Sequence, residues 1–308
     1  MSDVRSIRVA ICALLATSSV LSAGGCRTRL WESIGPEDLA LVPPDFKVTD
    51  LTVPPDFRPP PDLVLPFVCR DIWVVDSNGT FSGFNTGTRT FADVNKLDCV
   101  SPSSPQTMGV ARDGFAWVLY SNADLFRVDT QTAKCQPTGF DRTRITVDNF
   151  AQMGSAFSSD QAGGADETLF VQLVTQGSLA ILDTKKLTVT RVAQLTRSAE
   201  LTGTGNAELW GFFPDSPSFI ARIDKQTAML SGELPVPGVG SGQVNAFAFA
   251  FWGGSFWIFI AEDGGATKVY RVDGQTGAVE LAVATVGRHI IGAGVSSCAP
   301  TVEDGGIK

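Results

Sequence analysis

Five times along the chain an aromatic residue closes a short apolar strand, and 12 to 16 residues later a second strand ends in Asp or Asn followed by a turn. The aromatic residues are Trp73, Trp117, Phe170, Trp210 and Trp257; the turn residues are Asn85, Asp129, Asp183, Asp224 and Asp273. Successive turn residues lie 44, 54, 41 and 49 positions apart. A period of roughly 40 to 50 residues, with several strands in each unit, is the signature of a β-propeller blade. The pattern predicts an all-β fold, a five-bladed β-propeller over residues 68–302. It leaves the activity open, because propellers host many unrelated functions.

The second unit shows how a blade is written. Met108 to Ala111 is a strand of small residues, Arg112-Asp113-Gly114 a turn, and Phe115 to Tyr120 a strand containing Trp117. Leu125 to Val128 follows after a second turn, and Asp129-Thr130-Gln131-Thr132 leads into the fourth strand. Asp and Asn suit these turns because their side chains accept from backbone N–H groups two residues on. The closing turns read FNTGT, VDTQT, LDTKK, IDKQT and VDGQT. The opening strands begin Met108-Gly109, Met153-Gly154, Leu201-Thr202, Phe247-Ala248 and Ile291-Gly292, each pairing a bulky residue with a small one where blades crowd an axis.

The last of these opening strands has no unit after it, and the first unit, starting at Cys69, has no opening strand. The economical reading is that the C-terminal strand supplies the innermost strand of blade one. Closing the ring also removes sheet edges that would recruit other chains. In that register Cys69 and Cys298 meet at one turn and are predicted to form a disulfide, leaving Cys99 and Cys135 as the second pair.

Residues 1–25 read as a signal peptide: Arg5 and Arg8 precede an apolar run from Val9 to Ala23. The run is too short for a stable membrane span. Residues 26–67 contain near-repeats of VPPDF and should form an extended, polyproline-like tether without a core. Residues 303–308 are expected to be a disordered tail. The net charge is −8. With no Lys/Arg cluster the chain cannot neutralise a phosphate backbone, which argues against nucleic acid as a partner.

Two resemblances follow from these residues. Ala23-Gly24-Gly25-Cys26 resembles the bacterial lipobox, which implies lipidation of Cys26 and a membrane partner reached through the lipid, with Arg27 favouring the outer membrane. An ordinary cleavage after Gly24 would instead release a secreted, soluble protein. FRVDTQT, ARIDKQT and YRVDGQTGAVE resemble the quinoprotein-dehydrogenase-like and YVTN-type β-propeller repeats. The likeness is structural, and no residue here maps onto a quinoprotein cofactor or calcium site, so no cofactor and no metal are expected.

Catalytic residues are sparse. Glycosidase-type chemistry needs two carboxylates in defined geometry, whereas the inner strands offer Glu200 alone, with Arg112 following another. Asp160, Asp166 and Glu167 share one Gly-rich loop and read as solubilising charges. His289 is the single histidine and reads as structural, and no catalytic residue is assigned. Trp252, beside Gly253-Gly254, is out of register with the other tryptophans and is the candidate ligand-facing residue. The expectation is a non-catalytic envelope lipoprotein presenting a binding face to a protein or small ligand. The alternatives are a hydrolase or lyase with loop-borne carboxylates at the channel mouth, and a purely structural component of an envelope assembly.

Overall fold

The computed structural model describes residues 66–141, 153–174, 177–195 and 197–302. The predicted signal peptide, Cys26, nearly all of the tether and the 303–308 tail lie outside the described residues. Twenty strands form five four-stranded antiparallel sheets. Blade 2 contains β4 (Pro105–Val110), β5 (Phe115–Tyr120), β6 (Leu125–Asp129) and β7 (Cys135–Pro137). Blade 3 contains β8 (Met153–Ser159), β9 (Glu167–Leu173), β10 (Ser178–Asp183) and β11 (Thr188–Gln194). Blade 4 runs through β12 (Glu200–Gly203), β13 (Leu209–Phe213), β14 (Phe219–Ile223) and β15 (Leu230–Pro235). Blade 5 runs through β16 (Val244–Trp252), β17 (Ser255–Glu262), β18 (Lys268–Asp273) and β19 (Val279–Val283).

Blade 1 has only three consecutive strands, β1 (Ile72–Asp76), β2 (Thr80–Asn85) and β3 (Thr90–Lys96); its fourth and innermost is β20 (Ile290–Gly294). β20 pairs antiparallel with β1, setting Trp73 opposite Gly294 and Val75 opposite Gly292. The predicted closure is therefore present, and so are both disulfides. Cys69–Cys298 spans a Cα–Cα distance of 5.5 Å just past the end of β20 and before the start of β1, and Cys99–Cys135, at 5.0 Å, ties blade 1 to β7.

The inner strands β4, β8, β12, β16 and β20 touch in succession around one axis. Small residues permit that approach: a Cβ on Gly203 would lie 2.0 Å from the Phe157 carbonyl oxygen, and one on Gly154 would lie 2.3 Å from that of Ala199. The apolar core is divided into five clusters, one at each blade interface. A blade packed on both faces needs unbroken apolar strands rather than alternating ones, and β1 is buried at all five positions. The repeating aromatic residues lie inside their strands rather than closing them, because they pack across the interfaces instead of punctuating a turn. Trp73, Trp117 and Trp257 are buried there.

The five closing turns share one hydrogen-bonding plan. The Asp129 carboxylate accepts from the backbone N–H groups of Gln131 and Thr132 and from the Thr132 hydroxyl, and Asp224 and Asp273 repeat this arrangement. Four residues after each turn residue, an N–H bonds back to its carbonyl from a left-handed position: Arg89, Ala133, Leu187, Ala228 and Gly277. The outer pairs of blades 1, 3, 4 and 5 each carry a register shift, and β7 is three residues long. Bulges and short strands blunt exposed edges against pairing with another chain.

Candidate functional site

Among the described residues the inner strands carry one buried carboxyl. Glu200, the first residue of β12, is 5% exposed, and its Oε1 accepts from the Thr107 hydroxyl at 2.7 Å. The Ser155 backbone N–H also donates to it, and the Thr107 and Ser155 hydroxyls lie 3.2 Å apart. Three consecutive blades thus meet on a single side chain. Removal from water dominates over these hydrogen bonds and pushes the Glu200 carboxyl up to about 8, so it is largely protonated at neutral pH and serves as a neutral hydrogen-bonding hub.

The carboxyl ends of the inner strands converge on one mouth of the channel. There Arg112, following β4, donates Nε to the Ser297 hydroxyl (2.7 Å) and Nη2 to the Ser159 hydroxyl (2.6 Å), while Nη1 bonds the Gly164 carbonyl. The Arg112 backbone N–H donates to Glu167 Oε1 at 2.8 Å, and the Ser297 hydroxyl donates to Glu167 Oε2 at 2.5 Å. Burial raises the Glu167 carboxyl despite the lowering from Ser297 and Arg112. Ser297 is 1% exposed, so this serine–carboxylate contact is sealed rather than offered to a substrate. The network draws together blade 2, blade 3 and the segment after β20.

The Gly-rich loop therefore differs in part from the sequence expectation. Asp160 and Asp166 are exposed, as solubilising charges should be. Glu167 instead turns inward, because Arg112 from the neighbouring blade provides a partner that the linear sequence does not reveal. His289 sits at the opposite mouth, immediately before β20, where its carbonyl accepts from the Ser77 N–H. Among the described residues no group of three or more His, Cys, Asp or Glu comes together as a metal site.

Trp252 is half-buried, donates its indole N–H to the Cys69 carbonyl (3.3 Å) and packs on the core between blades 5 and 1. The concave surface beside Gly253-Gly254 is formed by its neighbours. A cavity of about 380 Å³ opens between blades 4 and 5, lined by Phe251, Phe256 and Trp210, by the Glu208 and Asp273 carboxylates, and by Gln275 among others. Trp210 is thus half-buried rather than wholly core. Its indole N–H lies 3.4 Å from Glu208 Oε2, and its ring meets Phe256 edge-on at 5.0 Å. Thr301 and Val302 form another wall, positioned by the Gly253 N–H bond to the Pro300 carbonyl (2.8 Å). The same C-terminal segment supplies Ser297 to the Arg112–Glu167 network and borders this cavity. Sequence reasoning missed the cavity, although the Gly274 that interrupts the closing-turn pattern was a visible signal.

No protein-family model matches the chain, and no curated protein matches it. Solved structures do. The chain is similar to a protein of unknown function from Bacteroides caccae, with 10% identity, a TM-score of 0.41 and coverage of 73% of this chain and 97% of that one. It is also similar to regucalcin, a calcium-binding protein from Agrobacterium tumefaciens, with 12% identity, a TM-score of 0.40 and coverage of 74% and 75%. A third similarity is to the extracellular domain of a protein from B. thetaiotaomicron, with 13% identity, a TM-score of 0.37 and coverage of 71% of this chain. This chain spans only 28% of that third protein's length. The chain's own five sheets make it a five-bladed β-propeller, and these likenesses concern the fold alone. The two disulfides place it in an oxidising, exported setting.

Proposed function

We propose that the chain is an envelope lipoprotein that works by binding rather than catalysis. In this reading the lipid is carried on Cys26, the Pro-rich segment spaces the domain from the membrane, and the repeats are a divergent form of the YVTN type. The cavity between blades 4 and 5 is the ligand site. One observation carries the binding part: the polar groups gathered at the channel mouth are consumed by one another. Arg112 places its guanidinium donors on Ser297, Ser159 and Gly164, and Glu167 is engaged on both oxygens. Glu200 is enclosed deeper in the axis. Among the described residues the two inward carboxyls, Glu167 and Glu200, are both engaged, whereas an aromatic-lined concavity with a few polar groups fits the usual form of a small-ligand site.

Intact-mass analysis of the mature protein tests the anchor: a diacylated Cys26 is expected, and an unmodified N-terminus would overturn lipidation. A thermal-shift screen of small molecules tests the site. Stabilising hits should be lost on Trp210→Leu, and turnover of any hit would refute the non-catalytic reading.

A further inference from the structure

Directly after the turn Asp or Asn, the five closing turns carry Thr86, Thr130, Thr184, Lys225 and Gly274. Thr130 is 1% exposed and stays within its own blade, with its hydroxyl on the Gly114 carbonyl at 2.8 Å. Lys225 instead fills the corner between two blades, reaching back from blade 4 into blade 3. Its ammonium donates to the Ser159 carbonyl (2.7 Å) and lies 5.8 Å from the Phe170 ring centroid. Burial lowers the pKa of this ammonium, and the Asp160 carboxylate partly offsets that by favouring its charge.

Phe170 is the repeating aromatic of blade 3, and its counterpart in blade 4 is Trp210. At that next interface the residue equivalent to Lys225 is Gly274, which brings no side chain. Its own backbone is pinned, because a Cβ there would lie 2.6 Å from the Gly254 carbonyl oxygen and the Gly274 N–H donates to that oxygen at 3.0 Å. The corner occupied by an ammonium group between blades 3 and 4 is therefore open between blades 4 and 5. It is the cavity bounded by Trp210 and Glu208.

We propose that this cavity binds a small protonated amine, an ammonium head on a short carbon chain, whose cation takes the place that Lys225 fills one interface earlier. The inference rests on the reading of the cavity as the ligand site and adds the chemistry of the ligand. The aromatic lining supplies the surface that attracts a desolvated cation, and Glu208 and Asp273 supply the counter-charge. Asp273 Oδ1 is committed to its turn, so Glu208 is the principal partner. Two guanidiniums stand nearby. Arg222 Nη1 lies 3.6 Å from Glu208 Oε1, with half its side chain in solvent, and Arg271 donates Nε to the Ser255 hydroxyl at 2.9 Å. Competition from Arg222 for Glu208 predicts modest, salt-sensitive affinity.

The test is a titration of the full mature protein with n-pentylammonium, followed by saturation-transfer NMR, with 1-pentanol and methyl glucoside as neutral probes. Saturable pentylammonium binding is expected, weakened by salt and about tenfold weaker in Glu208→Gln, the loss of one charge-assisted contact. The Lys225→Ala protein, whose blade 3/4 corner is emptied, should be stabilised by propylammonium more than the wild type is. If a neutral probe binds and is displaced by Trp210→Leu while pentylammonium does not bind, the amine assignment is overturned and the cavity remains a ligand site. If no probe of either kind binds, both readings fall. Equal stabilisation of Lys225→Ala and wild type by propylammonium would overturn the equivalence between the two corners.

Discussion

Replacing Glu200 by Gln should remove a pH dependence built into the propeller axis. In the unfolded chain this carboxyl titrates near its ordinary 4.5, and in the folded chain burial moves it to about 8. Between those values the native state keeps a proton that the unfolded state releases. Stability must therefore fall as pH rises through the window, by about 1.4 kcal/mol per pH unit. The contribution is absent below the unfolded value and reaches a plateau above the folded one, at no more than about 5 kcal/mol in total. A Gln side chain keeps the volume, can accept from the Thr107 hydroxyl, and has no proton to lose. Urea unfolding followed by tryptophan fluorescence, which the six tryptophans make feasible, should find the two proteins within about 1 kcal/mol near pH 5, the net worth of one rearranged hydrogen bond. At pH 9 the Glu200→Gln protein should be the more stable by several kcal/mol. Glu167 is also raised by burial and adds a slope of the same sign, but it is common to both proteins and cancels in the difference. Parallel stability profiles from pH 5 to 9 would show that Glu200 is ionised in the native axis or solvated there, and would refute the argument.

Two further outcomes follow from the closure of the ring. Cys69→Ala with Cys298→Ala opens a loop with a sequence separation of 229 and should lower stability by up to about 5 kcal/mol on the chain-entropy view. Hydrogen exchange should show that the loss is concentrated in β20 and β1 rather than spread over blades 3 and 4, and a uniform loss would contradict the clasp role. Arg112→Met leaves Glu167 buried without its cationic neighbour and should cost about 3 kcal/mol or more. The penalty should ease as pH falls and Glu167 takes up a proton, and a pH-independent loss, read from the same urea titrations, would contradict the charge pairing at the mouth.

Much of the architecture was legible because a propeller is local. Each blade is a run of hairpins, and the side chains that shape its turns, such as Asp129, Asp224 and Asp273, act on N–H groups two and three residues away. The closure and the Cys69–Cys298 bridge were legible for a related reason: one missing strand at the start and one spare strand at the end admit a single economical pairing. The sites were less legible. Glu167 is separated from Arg112 by 55 positions, and Arg112 from Ser297 by 185. No local rule relates such residues. Trp252 stood out by register, yet the adjacent Phe251 is the one that lines the cavity, because successive residues of β16 alternate between the two faces of the blade and only the assembled ring decides which face borders the cavity.

Periodic apolar strands, Asx turns and a spare terminal strand are short-range instructions, and they were sufficient to specify a closed five-bladed ring with its disulfides. Which carboxyls lose their water, which arginine seals the mouth and which corner stays empty were decided only when distant strands came together. Solvation and charge pairing depend on every group within a few ångströms in space, and the linear order of residues does not contain that distance.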